Sequence, residues 1–165
     1  DCNQDRMDRL NDNLARLGIS CKTLVADATQ PNAIPYENFK FIILDGPCSA
    51  SGVIRRHPDI RFHRRAEDIA KLAKTQLTLL ETLWPLLAND GRLLYITCSI
   101  LRAENDNVIE AFLRKNSNAQ ISTRDFPWGT KTKYGRQTLP GASDMDGFYF
   151  SLIKKRNTCP NQLVK

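Results

Sequence analysis

The apolar positions of this chain change period along its length. Between Gln4 and Leu17, Met7, Leu10, Leu14 and Leu17 recur at helical spacing, and Gly18 follows. That pattern predicts a helix closed by a glycine cap. Lys22 to Val25 predicts a short strand ending at Ala26-Asp27-Ala28, and Gln30 to Asn38, with Pro31 and Pro35, predicts a loop. Phe39 to Leu44 is a mostly apolar run suited to a central strand, and it stops on Asp45-Gly46-Pro47, which cannot continue a ladder. Ala66 to Leu87 carries Ile69, Leu72, Ala73, Leu80, Leu83, Trp84 and Leu87, an amphipathic helix with Trp84 expected in the core. Pro85 should shorten its last turn.

Further along, Asn89-Asp90-Gly91 predicts a turn into a strand over Arg92 to Ile96. A helix is expected over Ala103 to Arg114, with Glu104 and Asp106 in its first turn, where acids suit the helix dipole. Ala119 to Phe126 predicts a strand, Pro127 to Ser143 a polar, glycine-containing loop, and Gly147 to Lys155 an alternating, closing strand. The last ten residues look frayed. Strands alternating with helices argue an α/β sheet, mostly parallel.

Composition narrows the classes. A chain of 165 residues is one domain with room for an ordinary core. No apolar run reaches the length of a membrane span, and the start is too polar for a signal peptide, so a cytoplasmic setting is expected. The net charge of +6 and pI near 9.2 favour a polyanionic partner such as nucleic acid. Five cysteines, Cys2, Cys21, Cys48, Cys98 and Cys159, are scattered without a CxxC pair or a Cys/His cluster. That spacing predicts reduced thiols, no disulfide framework and no metal.

In an open α/β sheet, ligands bind at the carboxyl ends of strands. Asp45 and Cys48 stand three residues apart at one such end, and Cys98, within Thr97-Cys98-Ser99, stands at another. Asp1, Asp27 and Asp45 fall at successive strand ends, an arrangement suited to a nucleoside-type ligand, although aspartate is also a routine turn residue. Each cysteine is either a small buried hydrophobe or a nucleophile whose thiolate is favoured by nearby positive charge. Ile54 to Arg65 gathers five arginines and two histidines around Phe62, either a solvated connector or a grip on phosphates. The residues by themselves point to thiol-dependent chemistry on a nucleotide. A non-catalytic RNA-binding module, with both thiols structural, is the alternative from another class. A thiol hydrolase fits less well, because His57 and His63 both sit in the basic stretch.

The run from Asp45 to Asp59, Asp-Gly-Pro-Cys-Ser-Ala-Ser-Gly-Val-Ile-Arg-Arg-His-Pro-Asp, closely resembles the fourth motif of RNA 5-methylcytosine methyltransferases. It is similar to the bacterial branch that acts on small-subunit ribosomal RNA, the Sun or Fmu family. Thr97-Cys98-Ser99 with Glu104-Asn105 resembles that family's sixth motif, and Pro140-Gly141 with Asp146-Gly147-Phe148 its closing segment. The resemblance covers essentially the whole chain, with one departure at Gly46, where the family usually has alanine.

The resemblance implies a Rossmann-like, S-adenosylmethionine-dependent methyltransferase sheet. Cys98 would be the nucleophile that adds to C6 of a cytosine, and Asp45 would hold and protonate the ring at N3 beside the donor's site. Cys48 would assist loss of the C5 proton and release of the enzyme. Asp1 would bind the ribose of S-adenosylmethionine and Asp27 would lie beside its adenine. Arg55, Arg56, His57 and Arg61 would grip phosphates flanking a base that must leave its stack. A second reading within the class makes Cys48 the nucleophile, as in DNA cytosine methyltransferases.

The family's first motif, a glycine-rich loop after the first strand, is expected just before Asp1, and nothing in the chain replaces it. Residues 1–156 are therefore expected to be a partial catalytic domain lacking its first strand and that loop, followed by a disordered tail over 157–165. Such a piece is expected to bind S-adenosylmethionine weakly, to take small-subunit ribosomal RNA as its partner, and to form a homodimer through exposed strand edges.

Overall fold

The computed structural model describes residues 1–122 and 127–157. Helix α1 spans Gln4–Leu17, as its periodicity predicts. The Asn3 side chain accepts the Arg6 N–H at its start, and Gly18 ends it at φ 66°, donating its N–H to the Ala15 carbonyl. Of its apolar stripe, Met7 is buried while Leu10 and Leu17 remain exposed.

The remaining helices are α2 (Ile60–His63), α3 (Ala66–Leu83) and α4 (Asp106–Lys115). Strands β1 (Phe39–Asp45), β2 (Leu87–Thr97), β3 (Ala119–Ile121), β4 (Thr130–Lys131), β5 (Arg136–Gln137) and β6 (Tyr149–Lys155) form one sheet. Its order is β1-β2-β6-β5-β4, with β3 also paired to β6. Strands β1 and β2 run parallel, joined by a crossover that contains α3. Helices α3 and α4 cover one face. Leu79, Leu80, Leu83 and Trp84 meet Val108, Ile109 and Phe112 over Leu93, Tyr95, Tyr149 and Ile153 of the sheet. Trp84 sits in this core as expected, edge-on to Phe112 with ring centroids 5.2 Å apart, and its indole N–H donates to Asn118 Oδ1. Strand β1 is an edge of the sheet, and Phe41 and Ile43 stand 49% and 61% exposed on it. The α/β class and the positions where β1 and β2 end thus follow the sequence.

Several expectations are corrected. The sheet is not mostly parallel: β6 pairs antiparallel with β2, β3 and β5, and β4 pairs antiparallel with β5. Only β4 and β5 are joined by a tight turn, which makes them antiparallel; β6 follows a long connection after β2 and enters beside it in the opposite direction. Lys22 to Val25 forms no strand. Leu24 within the run accepts from the Asp1 N-terminus and Ala26 just after it donates to the Asp1 carbonyl, two bonds that are too few for a ladder. Asn89-Asp90-Gly91 is not a turn before β2 but lies inside it; Asp90 adopts φ 60° and the pairing with β1 slips between Phe39 and Phe41. Helix α4 begins at Asp106 rather than Ala103, because Glu104 and Asn105 turn their side chains inward. The expected loop over 127–143 carries the β4–β5 hairpin. The Asp106 carboxylate fastens it, accepting from the Thr132 hydroxyl and the Lys133 and Tyr134 N–H groups. Strand β3 ends at Ile121, and the rest of the strand expected to reach Phe126 lies outside the described residues, as does the tail beyond 157. No described helix is long and apolar enough to cross a membrane.

Candidate active site

Parallel pairing places Asp45 beside Ile96, so β1 and β2 end side by side. The Gly46 N–H extends the ladder by one bond to the Ile96 carbonyl at 2.9 Å, after which Pro47 turns the chain away. This brings the half-buried Cys48 and Cys98 together with their Sγ atoms 3.3 Å apart.

The pair is electrostatically unequal. The hydrogen bond from Cys48 holds the Cys98 thiol down at about 7, against the opposing effects of burial and of the Asp45 charge. The same bond, reinforced by burial, pushes the Cys48 thiol up. These directions make Cys98 the thiol that yields its proton more readily and Cys48 the one that retains it. Asp45 is exposed at the end of β1, close enough for its charge to act on Cys98.

The loop after Cys48 is set by one glycine contact. Ala50 takes φ 60° and Ser51–Val53 makes a single 3-10 turn. Gly52 then donates its N–H to the Cys98 carbonyl at 2.9 Å and accepts the Gly147 N–H at 2.8 Å. A Cβ at Gly52 would overlap the Gly147 carbonyl, so only glycine fits. Three sequence segments meet here: the loop after β1, the end of β2 and the entry to β6.

Beneath the thiols lies a buried polar network. The fully buried Glu104 carboxylate accepts the Ser49 N–H on Oε1 at 2.7 Å. Its Oε2 takes the Ser49 and Ser99 hydroxyls, each at 2.6 Å. Gln76 of α3 donates from Nε2 to the Pro47 carbonyl at 2.8 Å and to Glu104 Oε1 at 3.3 Å. Asn105 accepts the Thr97 hydroxyl at 2.6 Å and donates to the Ser99 carbonyl at 2.8 Å. Arg64 donates from Nε to the Ser49 carbonyl at 3.1 Å. Sequence reasoning missed Gln76, a polar residue on an amphipathic helix with nothing to mark it as inward-facing. It placed Glu104 in the first helical turn and, by resemblance, in the sixth motif, without a role, and read Arg64 only as part of a basic stretch that was either a solvated connector or a grip on phosphates.

The other predicted residues separate into groups. Asp1 and Asp27 come close to each other, since the Asp1 carbonyl accepts the Ala26 N–H. Among the described residues no hydrogen bond or ion pair joins them to the thiol pair. Asp27 accepts the Thr29 hydroxyl and N–H, which hold its carboxyl below the usual range. The Asp1 carboxylate accepts the Asn3 N–H and faces Arg6 at 3.6 Å. Arg55 and Arg56 both pair with Asp146, at 3.0 and 2.6 Å, so they tie the basic stretch to the entry of β6. His57 and Arg61 are exposed, with Arg61 over the Phe62 ring at 4.6 Å. A cavity of about 780 Å³ lies elsewhere, over the sheet face of Phe41, Leu94, Phe150 and Leu152, and touches neither cysteine. No cluster of three or more metal-ligating side chains occurs among the described residues.

The family described as 16S rRNA methyltransferase RsmB/F matches residues 1–154. The ribosomal RNA small subunit methyltransferase B of Vibrio vulnificus is similar, 45% identical over 159 residues, which cover 94% of this chain and 36% of that protein. Its counterpart from Salmonella arizonae is 46% identical over 157 residues, with the same coverage. The crystal structure of PH0851 shares the fold with a TM-score of 0.88 at 33% identity, over 94% of this chain and 36% of that one. The chain thus spans 36% of the length of these curated relatives, about a third.

Proposed function

This chain belongs to the 16S rRNA methyltransferase RsmB/F family, and on that footing we propose that it methylates C5 of a cytosine in small-subunit ribosomal RNA through a covalent adduct to Cys98. The observation that carries this reading is the thiol pair: two sulfurs at 3.3 Å, with the Cys98 thiol held down at about 7 and that of Cys48 pushed up. A simple structural cysteine has no need of a second thiol to stabilise its anion. The asymmetry also favours Cys98 over Cys48 as the nucleophile.

The Cys98 thiolate gives its electron pair to C6 of the ring, and the C5–C6 π pair moves toward C5 and N3. The Asp45 carboxylate, at the open end of β1, takes a proton from solvent as the base binds and passes it to N3, which balances this charge. When bound, S-adenosylmethionine supplies the electrophilic methyl group that C5 takes. N3 then returns its proton to Asp45, solvent water takes the C5 proton, the C5–H electron pair re-forms the C5–C6 double bond, and the C6–S bond breaks with its pair returning to Cys98. Cys48 assists by standing next to the departing sulfur as a proton donor and acceptor.

Asp1, Asp27 and Asp45 fit the donor's polar groups. Each is an exposed carboxylate with acceptor capacity left after its bonds within the chain, suited to ribose hydroxyls and amines. Asp1 and Asp27 would hold the nucleoside part, and Asp45 would stand between donor and base. His57 and Arg61 would meet phosphate on the flanking RNA, with Arg55 and Arg56 serving mainly to anchor the loop. Trapping on RNA that contains 5-azacytidine tests the reading. An adduct that disappears in Cys98→Ala and survives in Cys48→Ala supports it. The reverse pattern makes Cys48 the nucleophile, and RNA binding with no adduct in any variant leaves the non-catalytic reading.

A further inference from the structure

We propose that Glu104 is a positioning residue for both thiols, a single buried carboxylate that clamps the Cys48 loop to the Cys98 loop and so sets their contact. The inference rests on the thiol chemistry proposed above and concerns residues that touch neither sulfur.

Four donors converge on this one side chain: the Ser49 N–H, the Ser49 and Ser99 hydroxyls and the Gln76 amide. Ser49 follows Cys48 directly and Ser99 follows Cys98 directly. The carboxylate therefore fixes the residue adjacent to each sulfur, from below, while the sulfurs themselves stay half-buried and open to a substrate. Its backbone is held as well, since the buried Tyr95 hydroxyl donates to the Glu104 carbonyl at 2.6 Å.

The arrangement is costly, which argues that it serves more than packing. Burying a carboxylate is unfavourable unless its lone pairs are filled, and an apolar residue of similar volume is often as stable. Here the lone pairs are filled by hydroxyl, amide and backbone donors, with no cation bonded to the carboxylate among the described residues. Gln76 is fully buried and donates its amide N–H groups to Pro47 and Glu104, while its Oε1 has no hydrogen-bond partner among the described residues. A core selected for stability alone would replace both residues with aliphatic ones.

The test reads thiol geometry without RNA or cofactor, so its outcome is independent of whether the chain methylates anything. Iodoacetamide modification of Cys98 is followed by peptide mass spectrometry as a function of pH, in the full chain and in Glu104→Ala, Glu104→Gln and Ser99→Ala. The groups acting on Cys98 are Cys48 and Asp45 from the end of β1 and Glu104 before α4; around them, Tyr95 of β2 faces Cys48 and Glu104, and Arg64 donates to the Ser49 carbonyl. Two effects of removing Glu104 oppose each other. Loss of its charge favours the Cys98 thiolate, but that is the weakest influence on the thiol, whereas the Cys48 hydrogen bond is the strongest. If Glu104 positions the pair, the modification midpoint rises by about one pH unit in Glu104→Ala, the effect of losing roughly one hydrogen bond. It rises less in Glu104→Gln, which keeps one acceptor oxygen, and in Ser99→Ala, which removes one arm. Should Glu104→Ala fail to fold, the other two variants carry the test. A midpoint that falls assigns Glu104 an electrostatic effect only, and one that stays put while thermal stability drops makes it a structural residue; either overturns the proposal.

Discussion

Cys48 and Cys98 are 50 residues apart in sequence and 3.3 Å apart at their sulfurs. The parallel pairing of β1 with β2 makes this contact, because it ends both strands at one level and lets each loop leave in the same direction. One thiol is thereby made a hydrogen-bond donor to the other.

Removing the donor should therefore change the acceptor. In Cys48→Ala the Cys98 thiol loses its strongest stabilising contact and titrates upward from about 7 toward the ordinary value of 9.0. The sign is fixed: Cys98 is protonated below its pKa, so a higher pKa leaves less thiolate at neutral pH. Cys98 alkylation at pH 7 should fall about five- to tenfold in this variant and recover near pH 9.5. Stopped-flow alkylation followed at the Cys98 peptide measures it. Unchanged reactivity at pH 7 would mean that Cys48 does not activate its neighbour.

Gly52 should tolerate no side chain. Its Cα lies against Gly147, and a β-carbon would overlap that carbonyl while the bonds to Cys98 and Gly147 hold the backbone in place. Gly52→Ala should destabilise the chain by about 1–3 kcal/mol in urea denaturation, the range of an overpacked site. Folded variant protein should also show altered Cys98 alkylation, because Gly52 bonds the Cys98 carbonyl. Stability within 0.5 kcal/mol of the parent, about the scatter of neutral substitutions, would contradict the contact.

The sequence made the strand ends legible because they are marked by local chemistry. Asp45-Gly46-Pro47 cannot continue a strand, Gly18 must end a helix, and the periodicity of α1 and α3 needs no partner to be read. What it concealed depends on pairing. The extended run Lys22 to Val25 has strand-like residues, yet a strand exists only where a neighbour supplies a ladder. Asn89-Asp90-Gly91 has turn chemistry, yet β1 on one side keeps it within β2 as an irregularity. The same distinction holds at the site. Both cysteines stand out by position, whereas Gln76 and Arg64 are ordinary polar residues until the fold turns them toward the Cys48 loop. Arg55 and Arg56 looked free to meet phosphate because Asp146 is 90 residues away in sequence from Arg56.

Gly46 behaves differently from Gly52. A Cβ there would meet Tyr95, Gln76 and the Ile96 carbonyl at 3.4–3.6 Å, ordinary van der Waals distance, and its φ is not left-handed. Gly46→Ala should therefore be accommodated, raising stability by up to about 0.5–1 kcal/mol by restricting the unfolded chain. The midpoint of urea unfolding reads it, and a fall in that midpoint would show that the pocket between Tyr95 and Gln76 is tighter than it looks.

The arginines of the basic stretch should separate by role. Arg61 is exposed, with its guanidinium over Phe62 and no ion pair among the described residues, so it is available to a phosphate. Arg55 bonds the Asp146 carboxylate and the Asp144 carbonyl, so its charge is already committed. Arg61→Ala should weaken RNA binding and lower the slope of log K against log salt by about 0.7, one phosphate contact on a single strand, with stability unchanged. Arg55→Ala should leave that slope nearly intact and instead loosen the entry to β6, seen as faster amide exchange at Phe148, whose N–H bonds Thr138. Equal loss of salt dependence in both variants would mean that Arg55 leaves Asp146 to meet the RNA, and that this ion pair opens on binding.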